Sequence, residues 1–268
     1  MDTDKEWERW GKNDPYFGVI THTKFRRKNL TGEAIQEFFE SGRRDVKRVL
    51  DTCRQYLDKD FSPKSILDFG CGTGRLIVPF SEVSENVVGL DVSDSMLKEC
   101  EKNCREFSAT NVRLIKSDDN LSQLQGKFDL IHSLVVFQHL PVDRGIYIID
   151  NLLRYLNEGG ICALQITYSK IKFQKNMGIP NYYIASPNTI LGHIHRIRQY
   201  IIILARNLNT KIRKKRGPAD PGMQMNPYNM NQIFFKLQTF GIKNIYLDFT
   251  DHGGELGVYL YFKKTSPC

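Results

Sequence analysis

Apolar residues recur at helical spacing between positions 33 and 57. Ile35, Phe38, Phe39, Val46, Val49, Leu50, Cys53 and Leu57 share a face, and Gly42 predicts a break in that helix. From Ser65 onward the pattern changes to short apolar runs. SILDF (65–69), 87–90, 112–115, FDLIHS (128–133) and ICALQIT (161–167) read as five buried strands. Helical patterns lie between them at 93–106, with Ser93 as N-cap, and at 143–156, starting near Pro141. This alternation predicts a parallel sheet covered by helices on both faces. Further on, a helix at 229–240 stopped by Gly241 precedes strands at 243–249 and 257–263, joined by a turn at 251–254. Their spacing predicts an antiparallel hairpin. Residues 1–32 carry Trp7, Trp10, Tyr16, Phe17 and Phe25 without sustained periodicity and read as an N-terminal arm. The expected organisation is this arm, a domain made of 33–167 and 229–268, and an insert at 168–228.

Composition narrows the class. With 268 residues, 41% hydrophobic and 25% charged, the chain has the make-up of a folded domain rather than a disordered one. No apolar run approaches the roughly 20 residues of a membrane span. The first residues, MDTDKEWERWGK, lack the apolar core of a secretory signal. The six cysteines show neither CxxC nor zinc-like spacing. Reduced thiols, a cytoplasmic location and no metal site are therefore expected.

The net charge of +8 is unevenly spread. No Asp or Glu occurs from Gly159 to Ala219, and that stretch holds eleven Lys and Arg, so the remainder carries 8 − 11 = −3. A slightly acidic body thus bears one basic segment.

The candidate chemistry begins where the first strand runs into Asp68-Phe-Gly70-Cys71-Gly72-Thr-Gly74. Glycines between a strand and a helix allow a sharp turn and close ligand approach. Asp91 ends the second strand, 21 residues after Gly70, where a carboxylate can accept hydrogen bonds from two ribose hydroxyls. Asp118 closes the third strand. The spacing is GxGxG rather than the GxGxxG of dinucleotide sites, and Asp68 beside the loop would repel a pyrophosphate. A nucleoside with an ammonium-bearing tail and no phosphate suits it better. S-adenosylmethionine is such a ligand.

The segments SILDFGCGTGR (65–75), VVGLDVSDSML (87–97), VRLIKSDD (112–119), FDLIHSLVVFQHLP (128–141) and LNEGGICALQI (156–166) together resemble the class I S-adenosylmethionine-dependent methyltransferases. The resemblance covers about 45–167 in family order. It implies a Rossmann-like α/β fold with a mixed seven-stranded sheet ordered 3-2-1-4-5-7-6, its last inserted strand antiparallel. It also implies roles. The loop of Gly70, Cys71, Gly72 and Gly74 would line the methionine and ribose, with Asp68 near the ammonium. Asp91 would hold the ribose hydroxyls, and Val92 and Met96 would flank the adenine. Asp118, with Asp119 adjacent, would accept from the adenine amino group, and Ser133 would face the methionine moiety. Met96 also fits as helix core and Asp119 as a helix cap. The DPYFGV and TDHGGELGVYLYFKK stretches look similar to uncharacterised bacterial methyltransferases, some associated with surface-polysaccharide biosynthesis.

Acceptor-side residues should follow strands 4 to 6, because ligands of open α/β sheets bind beyond the strands' carboxyl ends. His139 after the fourth strand and the Asp251–His252 pair after the sixth are candidate bases, with packing and turn formation as their structural alternatives. In the insert, 188–209 reads as an amphipathic helix whose stripe includes Ile190, Leu191, Ile194, Ile197, Ile201, Leu204 and Leu208, followed by KIRKKR (211–216). The stripe equally suits a contact with a second copy in a homodimer. A small-molecule or glycan acceptor ranks first for this segment. An anionic membrane surface bound through 188–216 ranks second, and RNA third, because the basic run has no interleaved aromatics. The expected activity is methyl transfer to oxygen of a small-molecule or glycan acceptor, by a protein that is cytoplasmic or peripheral to a membrane. The alternatives are action on a lipid or RNA, or a non-catalytic nucleoside-binding module.

Overall fold

The computed structural model describes residues 2–180 and 220–264, together with positions 194, 197 and 201. Seven strands form one sheet: β1 (Ser65–Phe69), β2 (Asn86–Asp91), β3 (Val112–Lys116), β4 (Phe128–Ser133), β5 (Leu156–Lys170), β6 (Tyr246–Asp251) and β7 (Glu255–Lys263). Their order is β3-β2-β1-β4-β5-β7-β6, with β1 to β5 parallel and β7 antiparallel to both β5 and β6. This is the order the sequence resemblance implies.

Side-chain alternation builds two cores. Leu67, Phe69, Val88, Leu90 and Ile131 point to one face, where α6 (Val142–Arg154) contributes Ile148, Ile149, Leu152 and Leu153, and α7 (Met230–Thr239) contributes Ile233 and Leu237. Ile66, Val87, Leu130, Ile161 and Ala163 point to the other. They meet Val46, Val49, Leu50 and Cys53 of α3 (Gly32–Tyr56), Ile77 and Phe80 of α4 (Ile77–Ser81), and Cys100 of α5 (Asp94–Glu106). Side-chain caps start α3, α5 and α7. Thr31 accepts from the Ala34 N–H, Ser93 from the Met96 N–H and Asn229 from the Asn231 N–H.

Two expectations are corrected. Helix α3 runs unbroken through Gly42. The glycine is there for contact, since a Cβ on it would lie 2.0 Å from the Arg75 carbonyl oxygen. Nor is the N-terminal arm irregular. It forms α1 (Thr3–Asn13), capped by Asp2, and α2 (Pro15–Val19), with Pro15 at its first position. An aromatic cluster of Tyr16, Phe25, Phe38 and Phe39 seats the arm on α3.

Of the stripe expected at 188–209, Ile194, Ile197 and Ile201 are helical and more than half exposed. The KIRKKR run lies outside the described residues. Among the described residues, no helix is long and apolar enough to cross a membrane.

Candidate cofactor and acceptor site

A cavity opens beyond the carboxyl ends of β1, β2 and β4. Its walls include Gly70, Gly72, Asp91, Val92, Met96, Asp119 and His139, seven of the residues singled out from the sequence. Asp91 organises the polar side. Its Oδ2 accepts from the Gly72 N–H and its Oδ1 from the Ser93 N–H, both at 2.9 Å. A carboxylate has about four lone-pair sites, so acceptor capacity remains for two hydroxyls. Burial raises the Asp91 pKa to about 6, against the opposing pull of these N–H donors and with a further upward push from Asp68. Gly70 stands in left-handed backbone (φ +78°), and a Cβ there would come within 2.3 Å of Val136. The loop after β4 therefore lies directly over the glycine turn.

That loop is strained. Val135 has φ +59°, an outlier for a β-branched side chain, and its N–H donates to Gln165 Oε1 at 3.3 Å. Val135 lines the cavity, as do its neighbours Leu134 and Val136.

The N-terminal arm and α6 supply further walls. Asp4 and Trp7 of α1, Gly18 and Val19 of α2, and Arg144 of α6 all line the cavity. Arg144 Nε donates to Asp119 Oδ1 at 2.8 Å, and its two terminal nitrogens pair with Asp4. Glu8 docks α1 onto the start of α5, accepting from the Ser95 N–H and from the Ser93 and Ser95 hydroxyls. Burial alone would raise the Glu8 pKa, but these donors outweigh it and hold it at about 2. A signal existed: Asp4, Trp7, Glu8 and Gly11 recur at helical spacing.

The other sequence candidates lie elsewhere. Asp68 is buried beneath the loop, its Oδ1 2.8 Å from His132 Nδ1. Cys71 and Gly74 are buried, and a Cβ on Gly74 would meet Cys100 Sγ at 2.7 Å. Ser133 donates to the Phe69 carbonyl at 2.9 Å and is fully buried. Asp118 caps its own turn by accepting from the Ser122 N–H and hydroxyl, and it lines a shallow hollow beside the cavity with Asp94, Lys116 and Asp119. Asp251 accepts from the Gly254 N–H within the β6–β7 turn, and neither it nor His252 reaches the cavity wall. His252 is exposed, and partial desolvation by its neighbours lowers its pKa, with Asp251 opposing and Arg48 adding to the effect.

His139 is tightly held. Its Nδ1 lies 2.8 Å from the Gln224 carbonyl oxygen, so that nitrogen carries the proton, and Nε2 lies 3.4 Å from Gln138 Nε2. Trp7 packs edge-on against the ring at 5.0 Å. Burial lowers its pKa to about 4, with the Gln224 hydrogen bond acting the other way.

A 3-2-1-4-5-7-6 sheet with a cavity at its carboxyl edge is the class I S-adenosylmethionine-dependent methyltransferase fold. Residues 66–160 match the family described as "methyltransferase domain", so the chain carries a methyltransferase domain of this class, whose cofactor is S-adenosylmethionine. Over 140 residues the chain is 31% identical to magnesium-protoporphyrin O-methyltransferase of Synechocystis, covering 51% of this chain and 60% of that protein. It is 25% identical over 183 residues to a tRNA N(3)-methylcytidine methyltransferase of Schizosaccharomyces pombe, covering 63% of this chain and 59% of that one. The chain thus spans about 60% of the length of these relatives. Among solved structures, the Synechocystis magnesium protoporphyrin IX methyltransferase with bound S-adenosylhomocysteine superposes with TM-score 0.56 at 18% identity, over 94% of this chain and 98% of that one. The N-methyltransferase NodS of Bradyrhizobium japonicum, also with S-adenosylhomocysteine, gives TM-score 0.56 at 13% identity, over 99% and 100%.

Proposed function

We propose that this chain transfers the methyl group of S-adenosylmethionine to an oxygen of a small-molecule or glycan acceptor. The observation that carries the reading is Asp91, fixed by two backbone N–H groups with its remaining acceptor capacity facing the cavity. We assign it the ribose hydroxyls, the apolar wall of Val92, Met96 and Leu140 the adenine, and the glycine turn with Asp68 the amino-acid tail. The bound cofactor supplies a methyl carbon already activated on sulfonium. The chain's work is then alignment and exclusion of water. Leu134, Val135 and Val136, held over Gly70, shape the place where the acceptor meets that carbon. A hydroxyl acceptor must also lose a proton. His139 has both ring nitrogens engaged, so we assign it to the wall. Neither His252 nor Asp251 lines the cavity, so we assign no described residue the role of base.

The named activity of the Synechocystis relative, O-methylation of a small molecule, supports this acceptor class. The acid-free segment with eleven Lys and Arg favours an acceptor that is anionic or held at an anionic surface. Calorimetry with S-adenosylhomocysteine tests the cofactor assignment. Wild type should bind and Asp91→Ala should bind at least tenfold more weakly; equal affinity would remove Asp91 from the site. Deleting 188–216 should weaken acceptor or anionic-liposome binding and leave cofactor affinity unchanged.

A further inference from the structure

We infer that His132 is a positioning residue for the cofactor, fixing the Asp68 carboxylate so that its second oxygen meets the cofactor's ammonium group. The inference rests on the cofactor reading above.

Asp68 and His132 are paired positions on β1 and β4, so their side chains stand side by side on one face of the sheet. Both are almost wholly buried. His132 Nδ1 lies 2.8 Å from Asp68 Oδ1, and Nε2 lies 3.1 Å from the Tyr259 hydroxyl on β7. Strand β5 runs between β4 and β7, and its residue paired with His132 is Ala163. That small side chain leaves the imidazole room to reach across to Tyr259. Phe80 packs edge-on against the ring at 5.2 Å and fixes its plane.

The proton arrangement follows from the partners. Burial pushes the Tyr259 phenol far above its ordinary pKa, so it stays protonated. In the tautomer with its hydrogen on Nδ1, the imidazole donates to Asp68 Oδ1 and Nε2 accepts from the Tyr259 phenol. Hydrogen bonds then run one way, from Tyr259 through His132 to Asp68.

Asp68 Oδ1 is thereby satisfied. Among the described residues Oδ2 accepts no hydrogen bond, although Asp68 sits two residues before Gly70 of the cavity wall. A carboxylate buried in a sheet is costly unless each oxygen finds a partner. A cationic group of a ligand entering over the glycine turn would complete it. The terminal torsion of Asp is broad, so without His132 the carboxylate could turn away and waste the charge pairing.

The test compares S-adenosylhomocysteine with methylthioadenosine, which has the same nucleoside but no amino-acid tail. Affinities of both are measured calorimetrically for wild type, His132→Leu, His132→Asn and His132→Gln. The Asn amide places a donor where Nδ1 was, and the Gln amide where Nε2 was. A charge-assisted hydrogen bond corresponds to roughly tenfold in affinity or more. His132→Leu should therefore lose about tenfold for S-adenosylhomocysteine and keep methylthioadenosine affinity. His132→Asn should restore the preference and His132→Gln should not. Parallel losses for both nucleosides, or no loss for either, would overturn the positioning role. If His132→Leu does not fold, the Asn and Gln variants carry the test, and equal behaviour of the two would overturn it. Wild type binding neither nucleoside would instead overturn the cofactor reading, and this inference with it.

Discussion

Arg144 of α6 holds Asp4 of α1 through two parallel hydrogen bonds, Nη1 to Oδ1 at 2.6 Å and Nη2 to Oδ2 at 2.9 Å. The same guanidinium reaches Asp119, so one side chain joins the N-terminal helix, the turn after β3 and α6 around the cavity. Bidentate pairing of this kind is geometrically specific as well as strong. Arg144 is about a quarter exposed and Asp4 more so, which limits the pair to about 1 kcal/mol.

Asp4→Asn should therefore speed dissociation of S-adenosylhomocysteine about fivefold, as expected for about 1 kcal/mol. The difference from wild type should shrink as salt rises, because partly exposed ion pairs are screened. Stopped-flow displacement at low and high ionic strength checks this. Equal dissociation rates at low salt would show that α1 does not retain the ligand.

Cofactor affinity should depend on pH through Asp91. Its pKa is raised to about 6 in the folded protein. Ribose hydroxyls donate to the ionised carboxylate, so binding favours loss of that proton. Affinity for S-adenosylhomocysteine should fall as pH drops below about 6, with one proton released on binding in that range. Asp91→Asn should bind weakly and without this dependence. Titrations in buffers of different ionisation enthalpy would reveal the proton, and a flat wild-type profile between pH 5 and 7 would contradict the assignment.

The sheet was legible in the sequence because each strand is an apolar run bounded by turn residues, as in SILDF before Gly70. Asp91 was legible because a carboxylate at a buried strand end has no packing role. The N-terminal helix was not, because the face it docks with carries Asp4, Trp7 and Glu8, and only one of those is apolar. Hydrophobic periodicity cannot register a helix that docks through charge. Gly42 misled for a related reason. A glycine in a helix reads as a break when the sequence does not show the backbone against which it packs. Arg144 and the His132 relay depend on contacts between residues more than sixty positions apart, which spacing along the chain does not reveal.

His139 should shape acid sensitivity. Its folded pKa is about 4, below the ordinary 6.5. Between these values the unfolded chain binds a proton that the native chain does not, so stability contributed by the neutral ring is lost as pH falls from 6.5 toward 4. One such group adds a slope of up to about 1.4 kcal/mol per pH unit. His139→Asn keeps a donor for the Gln224 carbonyl but cannot titrate. Its unfolding free energy should fall less steeply across this window, whatever its value at pH 7. Urea denaturation at closely spaced pH values measures the slope, and identical slopes would mean that His139 titrates normally.

Gly42 and Gly32 lie in the same helix and should respond oppositely to alanine. At Gly42 a Cβ would stand 2.0 Å from the Arg75 carbonyl oxygen and 3.0 Å from its carbon, both backbone atoms. Helix α3 cannot retreat without unpacking Val46, Val49, Leu50 and Cys53 from the sheet. Arg75 cannot yield without disturbing its bonds to Asp45 and Ser41 and the glycine turn just before it. Gly42→Ala should cost about 3 kcal/mol and weaken cofactor binding as well, since Arg75 lines the cavity. At Gly32 an added Cβ meets nothing within 4 Å, so the lower chain entropy and better helix propensity of alanine should stabilise by about 0.5 kcal/mol. Denaturant midpoints and S-adenosylhomocysteine affinity of the two variants, measured together, check both signs. A Gly42→Ala protein as stable as wild type would mean that α3 does not rest on the Arg75 backbone.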